Sequence, residues 1–122
     1  MTLDHTQRLN IEFIIGQQRG CTVEDLRLCW SIMDHVRLSA DELKTINYRK
    51  EQNNGNTSIL WDGDKSIPAI TCDLSSEEQQ RINRAIKEWQ YGYAAADRVW
   101  LEPLLAQLAT NGQPTTEQPK GA

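Results

Sequence analysis

The chain has 122 residues, of which 39% are apolar and 25% charged, with a formal net charge of −4 and a pI near 5.1. That length suits one domain able to bury a core without disulfide or metal staples, and that composition excludes an intrinsically disordered chain. The mild acidic balance argues against a general nucleic-acid binder, which needs a basic face against phosphate.

In chain order, residues 4–15 form the first expected helix. Leu9 and Phe13 lie four apart, and Ile11 pairs with Ile14 and Ile15, giving a broad apolar face at helical period. The opening Met1-Thr2-Leu3-Asp4-His5 lacks a basic region followed by a long apolar stretch, so no secretory signal is expected. Gly16 and Gly20 bracket a polar turn. Thr22 is placed to cap a second helix, with Asp25 three residues on, the Asp form of the capping box. Leu26, Cys29, Met33 and Val36, widened by Val23 and Ile32, make its buried stripe. Ser39 and Glu42 repeat the box before a short third helix over 40–47, with Leu43 and Ile46 as its buried candidates.

The polar stretch 49–56, with Asn53-Asn54-Gly55-Asn56 inside it, is expected to be an exposed loop. Residues 57–61 are a short β-prone run, Asp62-Gly63-Asp64-Lys65 a tight turn, and residues 66–73 the returning strand of a hairpin. Pro68 marks that strand as an edge or a bulge. Ser75 and Glu78 form a third capping box, opening a helix over 76–91. Its stripe is Ile82, Ile86, Trp89 and Tyr93, with Arg81, Arg84, Lys87 and Glu88 off it. Gly92 ends or kinks this helix, and Pro103, which fits a first turn, sets the last helix at 102–110 with Leu101, Leu104, Leu105 and Leu108 buried. The expected architecture is a small, mostly helical α+β domain over residues 1–110, with about five helices and one short β-hairpin. The segment 111–122, rich in Pro, Thr, Gln and Gly, is expected to be a disordered tail.

The chemistry-bearing residues are sparse. The two histidines, His5 and His35, lie far apart, and Cys21, Cys29 and Cys72 match no zinc spacing, so no metal or other cofactor is expected. Cys29 falls on a buried stripe and reads as a core residue. An odd cysteine count without close pairs points to a reducing, cytoplasmic compartment, and no apolar run is long enough to span a membrane. There is no nucleophile elbow and no phosphate-cradling loop, and the adjacent Glu77 and Glu78 serve a helix start better than acid–base catalysis. A non-enzyme is expected. Residues 22–36 and 40–47 could imitate a helix-turn-helix, but the first turn of the would-be recognition helix carries Asp41 and Glu42, unfavourable against phosphate.

The residues that point outward are aromatic and basic. Trp61 beside Lys65, and Tyr48 next to Arg49 and Lys50, form a platform able to stack a planar group and hold an anion. The same residue types dominate protein-binding hot spots. The competing reading is that Trp61 packs over the hairpin while Arg49 and Lys50 are a solvated run.

One resemblance adds to this. Thr22, Leu26, Ile32 and Val36 are followed by Leu38-Ser39-Ala40-Asp41-Glu42, a hairpin bearing Trp61-Asp62, and Asp73-Leu74-Ser75 with Glu78. This order resembles small accessory proteins encoded by bacteriophages and prophages, over residues 8–109. The resemblance carries no catalytic residue across. It implies a protein of the host cytoplasm that acts by occupancy; separately, the domain is expected to form a homo-oligomer. Its partner would be a small nucleotide, as in a counter-defence sponge for a cyclic or ADP-ribose-type immune signal. Alternatively it would be a host defence protein that it inhibits; a third expectation, from the helix-turn-helix-like pair and not from the resemblance, is a DNA-binding regulator.

Overall fold

The computed structural model describes residues 1–111. Strand β1 (Thr2–Leu3) leads into helix α1 (His5–Gly16), then α2 (Val23–Val36) and α3 (Ala40–Thr45). The hairpin strands β2 (Arg49–Asn53) and β3 (Asn56–Leu60) follow, then β4 (Ile70–Thr71), α4 (Ser76–Lys87), a 3-10 turn (Ala95–Asp97) and α5 (Arg98–Asn111). Five helices and an antiparallel hairpin make the α+β class that the sequence predicts. Asn111 closes α5 instead of opening a tail, and the rest of the tail reading lies outside the described residues.

Each of the first four helices starts where a side chain satisfies orphan amides. Ser39 and Ser75 form full capping boxes with Glu42 and Glu78. Asp4 forms another with Gln7, whose amide N donates to Asp4 Oδ1 at 2.8 Å. Thr22 accepts from the Asp25 amide at 3.1 Å, but the Asp25 carboxylate does not return to the cap, because it is held by Arg81 at 2.8 Å. That box is therefore one-sided.

The main core joins Ile11, Ile14 and Ile15 of α1 to Cys29, Ile32 and Val36 of α2, Ile82, Ala85 and Ile86 of α4, and Trp100, Leu104 and Leu108 of α5. Burying each large aliphatic side chain stabilises by about 1.5–3 kcal/mol. The β1–β4 pair, with Leu3 opposite Ile70, closes one end and buries Leu3 completely. A smaller cluster of Leu9, Leu38 and Ile46 lies apart, with Leu43, Tyr48, Trp61 and Ile67 packed on it.

Several expected details are corrected. Phe13 does not share a buried face with Leu9: it is 47% exposed. Val23, in the first turn of α2, is exposed. Helix α4 ends at Lys87, so Trp89 and Tyr93 lie beyond it in a link where Gly92 takes φ +69°, and the Tyr93 hydroxyl donates to the Ile86 carbonyl at 2.7 Å. Arg81, off the expected apolar stripe, is nevertheless buried. Helix α5 starts at Arg98, ahead of the expected 102, and holds Pro103 in its interior. The Val99 carbonyl, which loses its partner there, belongs to a residue 83% exposed, so water can serve it.

The largest correction concerns the hairpin. Its turn is Asn54-Gly55, inside the stretch read as a loop, with φ +53° and +82°, the two positive values of a type I′ turn. Of the run 57–61, residues 57–60 pair backward with residues 49–52, not forward with 66–73. Asp62-Gly63 forms a turn in which Lys65 N donates to the Asp62 carbonyl at 3.2 Å, but Gly63 does not take positive φ, so this is not a type I′ connection. Asp62 is pinned instead: its N–H donates to the Ile46 carbonyl at 2.9 Å and its carboxylate binds Arg49. Of residues 66–73 only Ile70–Thr71 is extended in a sheet, against β1, and Pro68 lies in irregular chain.

Candidate functional site: a groove between the first helix and the hairpin

Strand geometry sorts the hairpin side chains onto two faces. The register sets Lys50 opposite Ile59 and Gln52 opposite Thr57, and the alternation carries through to Tyr48 and Trp61. This face looks at α1 without closing on it. Between them lies a groove of about 480 Å³, walled by Leu9, Asn10, Glu12 and Phe13 from α1 and by Tyr48, Lys50, Thr57, Ile59 and Trp61 from the hairpin side. The opposite face carries Arg49, Glu51 and Ser58.

Three of the five residues singled out in the sequence therefore meet in the groove: Tyr48, Lys50 and Trp61. Trp61 is half-buried, since its inner edge packs on the small Leu9–Leu38–Ile46 cluster. Tyr48 packs there too, and burial followed by the Glu12 charge pushes its hydroxyl above the usual tyrosine range. The other two residues are placed elsewhere. Arg49 turns to the opposite face, where Nη1 donates to Asp62 Oδ1 at 3.1 Å and to the Asn47 carbonyl at 2.8 Å. Lys65 is exposed in the turn after Asp62 and lines no part of the groove.

Leu9, Asn10, Glu12, Phe13, Thr57 and Ile59 are the site residues that sequence reasoning missed. Phe13 also extends the aromatic surface beyond the groove. Its ring meets Trp89 edge-on at 5.9 Å, and Trp89 meets Tyr91 at 5.0 Å, Tyr91 being 72% exposed.

The charges of the groove are unevenly compensated. Glu12 accepts from Arg37 Nε at 3.2 Å. Lys50 makes no ion pair among the described residues, so its ammonium is the one uncompensated charge on these walls.

Two polar clusters lie elsewhere and fasten helices together. Buried Arg81 of α4 grips Asp25 of α2 through Nε at 2.8 Å and Nη2 at 3.1 Å, and reaches Gln18 Oε1 at 3.1 Å. The Arg81 guanidinium holds the Asp25 carboxyl below the usual carboxylate range. Glu78 accepts from the Ser31 hydroxyl at 2.7 Å and faces His35 Nδ1 at 3.2 Å. Burial pushes the Glu78 carboxyl up, but the Ser75 amide, the Ser31 hydroxyl and His35 together more than offset that and hold it down. In this cluster the hydroxyl donates to the carboxylate and not to the imidazole, so the arrangement does not activate Ser31 as a nucleophile. Cys29 and Cys72 are buried thiols pushed up by burial, and Cys21 is pushed up first by its hydrogen bond with Asp25. None is a poised thiolate. Among the described residues no cluster of His, Cys, Asp and Glu could hold a metal ion, and no helix is long and apolar enough to cross a membrane.

No protein-family model matches the chain, and no curated protein or solved structure is significantly similar to it.

Proposed function

We propose that this chain is a non-enzymatic binding protein, that the groove between α1 and the hairpin is its recognition site, and that the site takes a segment of another protein. The observation that carries this reading is the composition of the walls: Phe13, Tyr48, Ile59 and Trp61 surround a single free ammonium, that of Lys50. Aromatic anchors with one polar fixing point are the pattern of a protein-binding hot spot. In the setting implied by the resemblance to phage accessory proteins, the partner is a host defence protein and the mode of action is occupancy.

The nucleotide sponge is the second reading, favoured by the placement of Trp61, Tyr48 and Lys50 along one groove. A base could stack on Trp61 with a phosphate at Lys50. The charge balance weighs against it for a ligand with two phosphates. Arg49 is bound to Asp62, Lys65 is elsewhere, and the Glu12 carboxylate shares the groove with Lys50. The DNA-binding alternative has less support still, because the first turn of α3 presents Asp41 and Glu42.

Titration of the isotope-labelled chain, followed by NMR, separates these readings. One series uses ADP-ribose and a cyclic dinucleotide, the other linear peptides selected on the protein from a display library. Peptides are expected to move the Trp61 indole and Ile59 amide signals at micromolar concentration, and the nucleotides to leave them in place. Nucleotide binding at those signals, or peptide binding that leaves them unmoved, would overturn the protein-binding reading.

A further inference from the structure

We infer that the groove takes its partner as an extended strand added to the free edge of β3, with a glutamate across from Ile59 and apolar side chains two residues before and after it. This rests on the reading of the groove as a protein-binding site and specifies the form and charge of what enters.

The edge comes from the register. In a two-residue hairpin the residues flanking the turn, Asn53 and Asn56, exchange both hydrogen bonds, and in an antiparallel ladder such pairs alternate. Glu51–Ser58 and Arg49–Leu60 therefore also face inward, which leaves the backbone N–H and C=O of Thr57 and Ile59 pointing away from β2. Among the described residues no strand pairs with that side, and neither backbone amide donates to a side chain or loop.

The two edges of the hairpin differ. Strand β2 reads Arg49-Lys50-Glu51-Gln52-Asn53, with three consecutive charges of the kind that guard an edge against pairing. Strand β3 reads Asn56-Thr57-Ser58-Ile59-Leu60, with no charge, no proline and no bulge. It lacks the protections that proteins place on an edge that must stay single. Backbone pairing at such an edge supplies affinity, and the side chains that alternate onto one face supply selectivity.

The charge of the partner follows from Lys50. It stands directly across from Ile59 on the face that lines the groove. An added strand places its own residue on the other side of Ile59, two strand spacings or about 9.6 Å from Lys50. Two long side chains, a lysine and a glutamate, meet over that distance above Ile59. The neighbours on the same face of the added strand lie beside Thr57 and Trp61 and opposite Phe13, where apolar side chains fit.

The test starts from linear peptides selected on the full chain from a display library. Selection is expected to enrich a glutamate flanked two residues away on each side by apolar residues. N-methylating the peptide at that glutamate, whose N–H faces β3, should weaken binding about tenfold, the worth of one well-made hydrogen bond. N-methylation at the adjacent residue, whose N–H faces away, should change it less than about twofold. Lys50→Glu, at an exposed position that leaves the fold intact by circular dichroism, should weaken the same peptide by tenfold or more and abolish its preference for glutamate over glutamine. Peptides that move Trp61 and Ile59 and are lost with Phe13→Ala, yet ignore the site of N-methylation, would overturn the strand mode and leave the groove as a binding site. An empty selection, or peptides that bind away from Thr57–Trp61, would overturn both. Concentration-dependent dimerisation that perturbs the Thr57 and Ile59 amides would assign the edge to a second copy and overturn the inference in that way.

Discussion

Arg8 shows how a charge can be buried to some purpose. It is 2% exposed, yet every arm of its guanidinium has a partner: Nε donates to the Val36 carbonyl at 3.0 Å, Nη2 to the Arg37 carbonyl at 2.9 Å, and the outer nitrogens form a fork on Glu42 at 2.8 and 3.0 Å. One side chain of α1 thus satisfies carbonyls at the C-terminal end of α2 and binds the carboxylate that closes the capping box of α3. Arg8→Ala is expected to cost about 3–5 kcal/mol in urea unfolding, because Glu42 and two carbonyls lose their partner together. The fork also sets a pH dependence. Arg8, helped by the Ser39 amide, holds the Glu42 carboxyl at about 2 instead of its ordinary 4.5. A depressed carboxyl stabilises the fold above its unfolded pKa and loses that contribution as the pH falls through the folded one. The contribution, about 3 kcal/mol, should be intact above pH 4.5 and gone below pH 2. Glu42→Gln should be less stable than the natural chain at neutral pH. The difference between the two should shrink across that window when stability is measured at successive pH values, and a constant difference would refute the assignment.

Elements record where local chemistry was strong enough to read. Ser39, Ser75 and Thr22 each cap the helix that their spacing announces, because a hydroxyl followed three residues later by an acid is a self-contained device. Ser75→Ala should cost about 1 kcal/mol, measurable by chemical denaturation. The fifth helix was harder to place. Pro103 argues for a late start, yet α5 runs through it because Trp100, Leu104 and Leu108 bury a stripe that outweighs one missing hydrogen bond. Pro103→Ala, at an exposed position, should therefore raise stability by about 1–3 kcal/mol, since it restores a donor for the Val99 carbonyl and removes no packing. A loss of stability would show that the helix is bent to suit the proline. The position of the hairpin is hidden in the sequence for a physical reason. Residues 49–53 bury almost nothing, so they carry no alternation of apolar and polar side chains to betray a strand. The apolar run 57–61 then drew the pairing toward Asp62-Gly63, although Asn54-Gly55 was the stronger turn. Phe13 was lost in a similar way. It sits four residues after a buried leucine, and nothing in that spacing tells a core face from the lip of a groove. Tyr48, Lys50 and Trp61 stand out in the sequence because aromatic and basic residues beside a polar stretch fall on no helical stripe, although Tyr48 and Trp61 also pack on the smaller cluster. Arg49 could not be separated from Lys50 without knowing that a strand turns neighbours to opposite faces.

At the scale of the molecule, the two clusters divide the labour. The main core ties α1, α2, α4 and α5 together, while the smaller one, built on Leu9, Leu38 and Ile46, seats α3 and the base of the hairpin. The strands pair with each other but make little contact with any helix, and a two-stranded hairpin has marginal stability of its own. Hydrogen exchange should therefore fall in two tiers. Amides such as those of Ile32, Ile82 and Leu104 should exchange only through global unfolding, whereas the inward amides of Ser58 and Leu60 should exchange through a local opening that costs far less. Gly55→Ala and Ile82→Val together separate the tiers. At φ +82° an added Cβ meets no neighbour within 4 Å, so the substitution should cost only the backbone penalty of about 1 kcal/mol, confined to the turn. Ser58 and Leu60 should then exchange about fivefold faster, and the core amides with them, because the hairpin is open in the globally unfolded chain as well; Ile82→Val, in the core, should speed the core amides and leave Ser58 and Leu60 unchanged. If Ile82→Val accelerates the hairpin amides along with those of the core, the molecule unfolds as one unit and the hairpin is no independent arm.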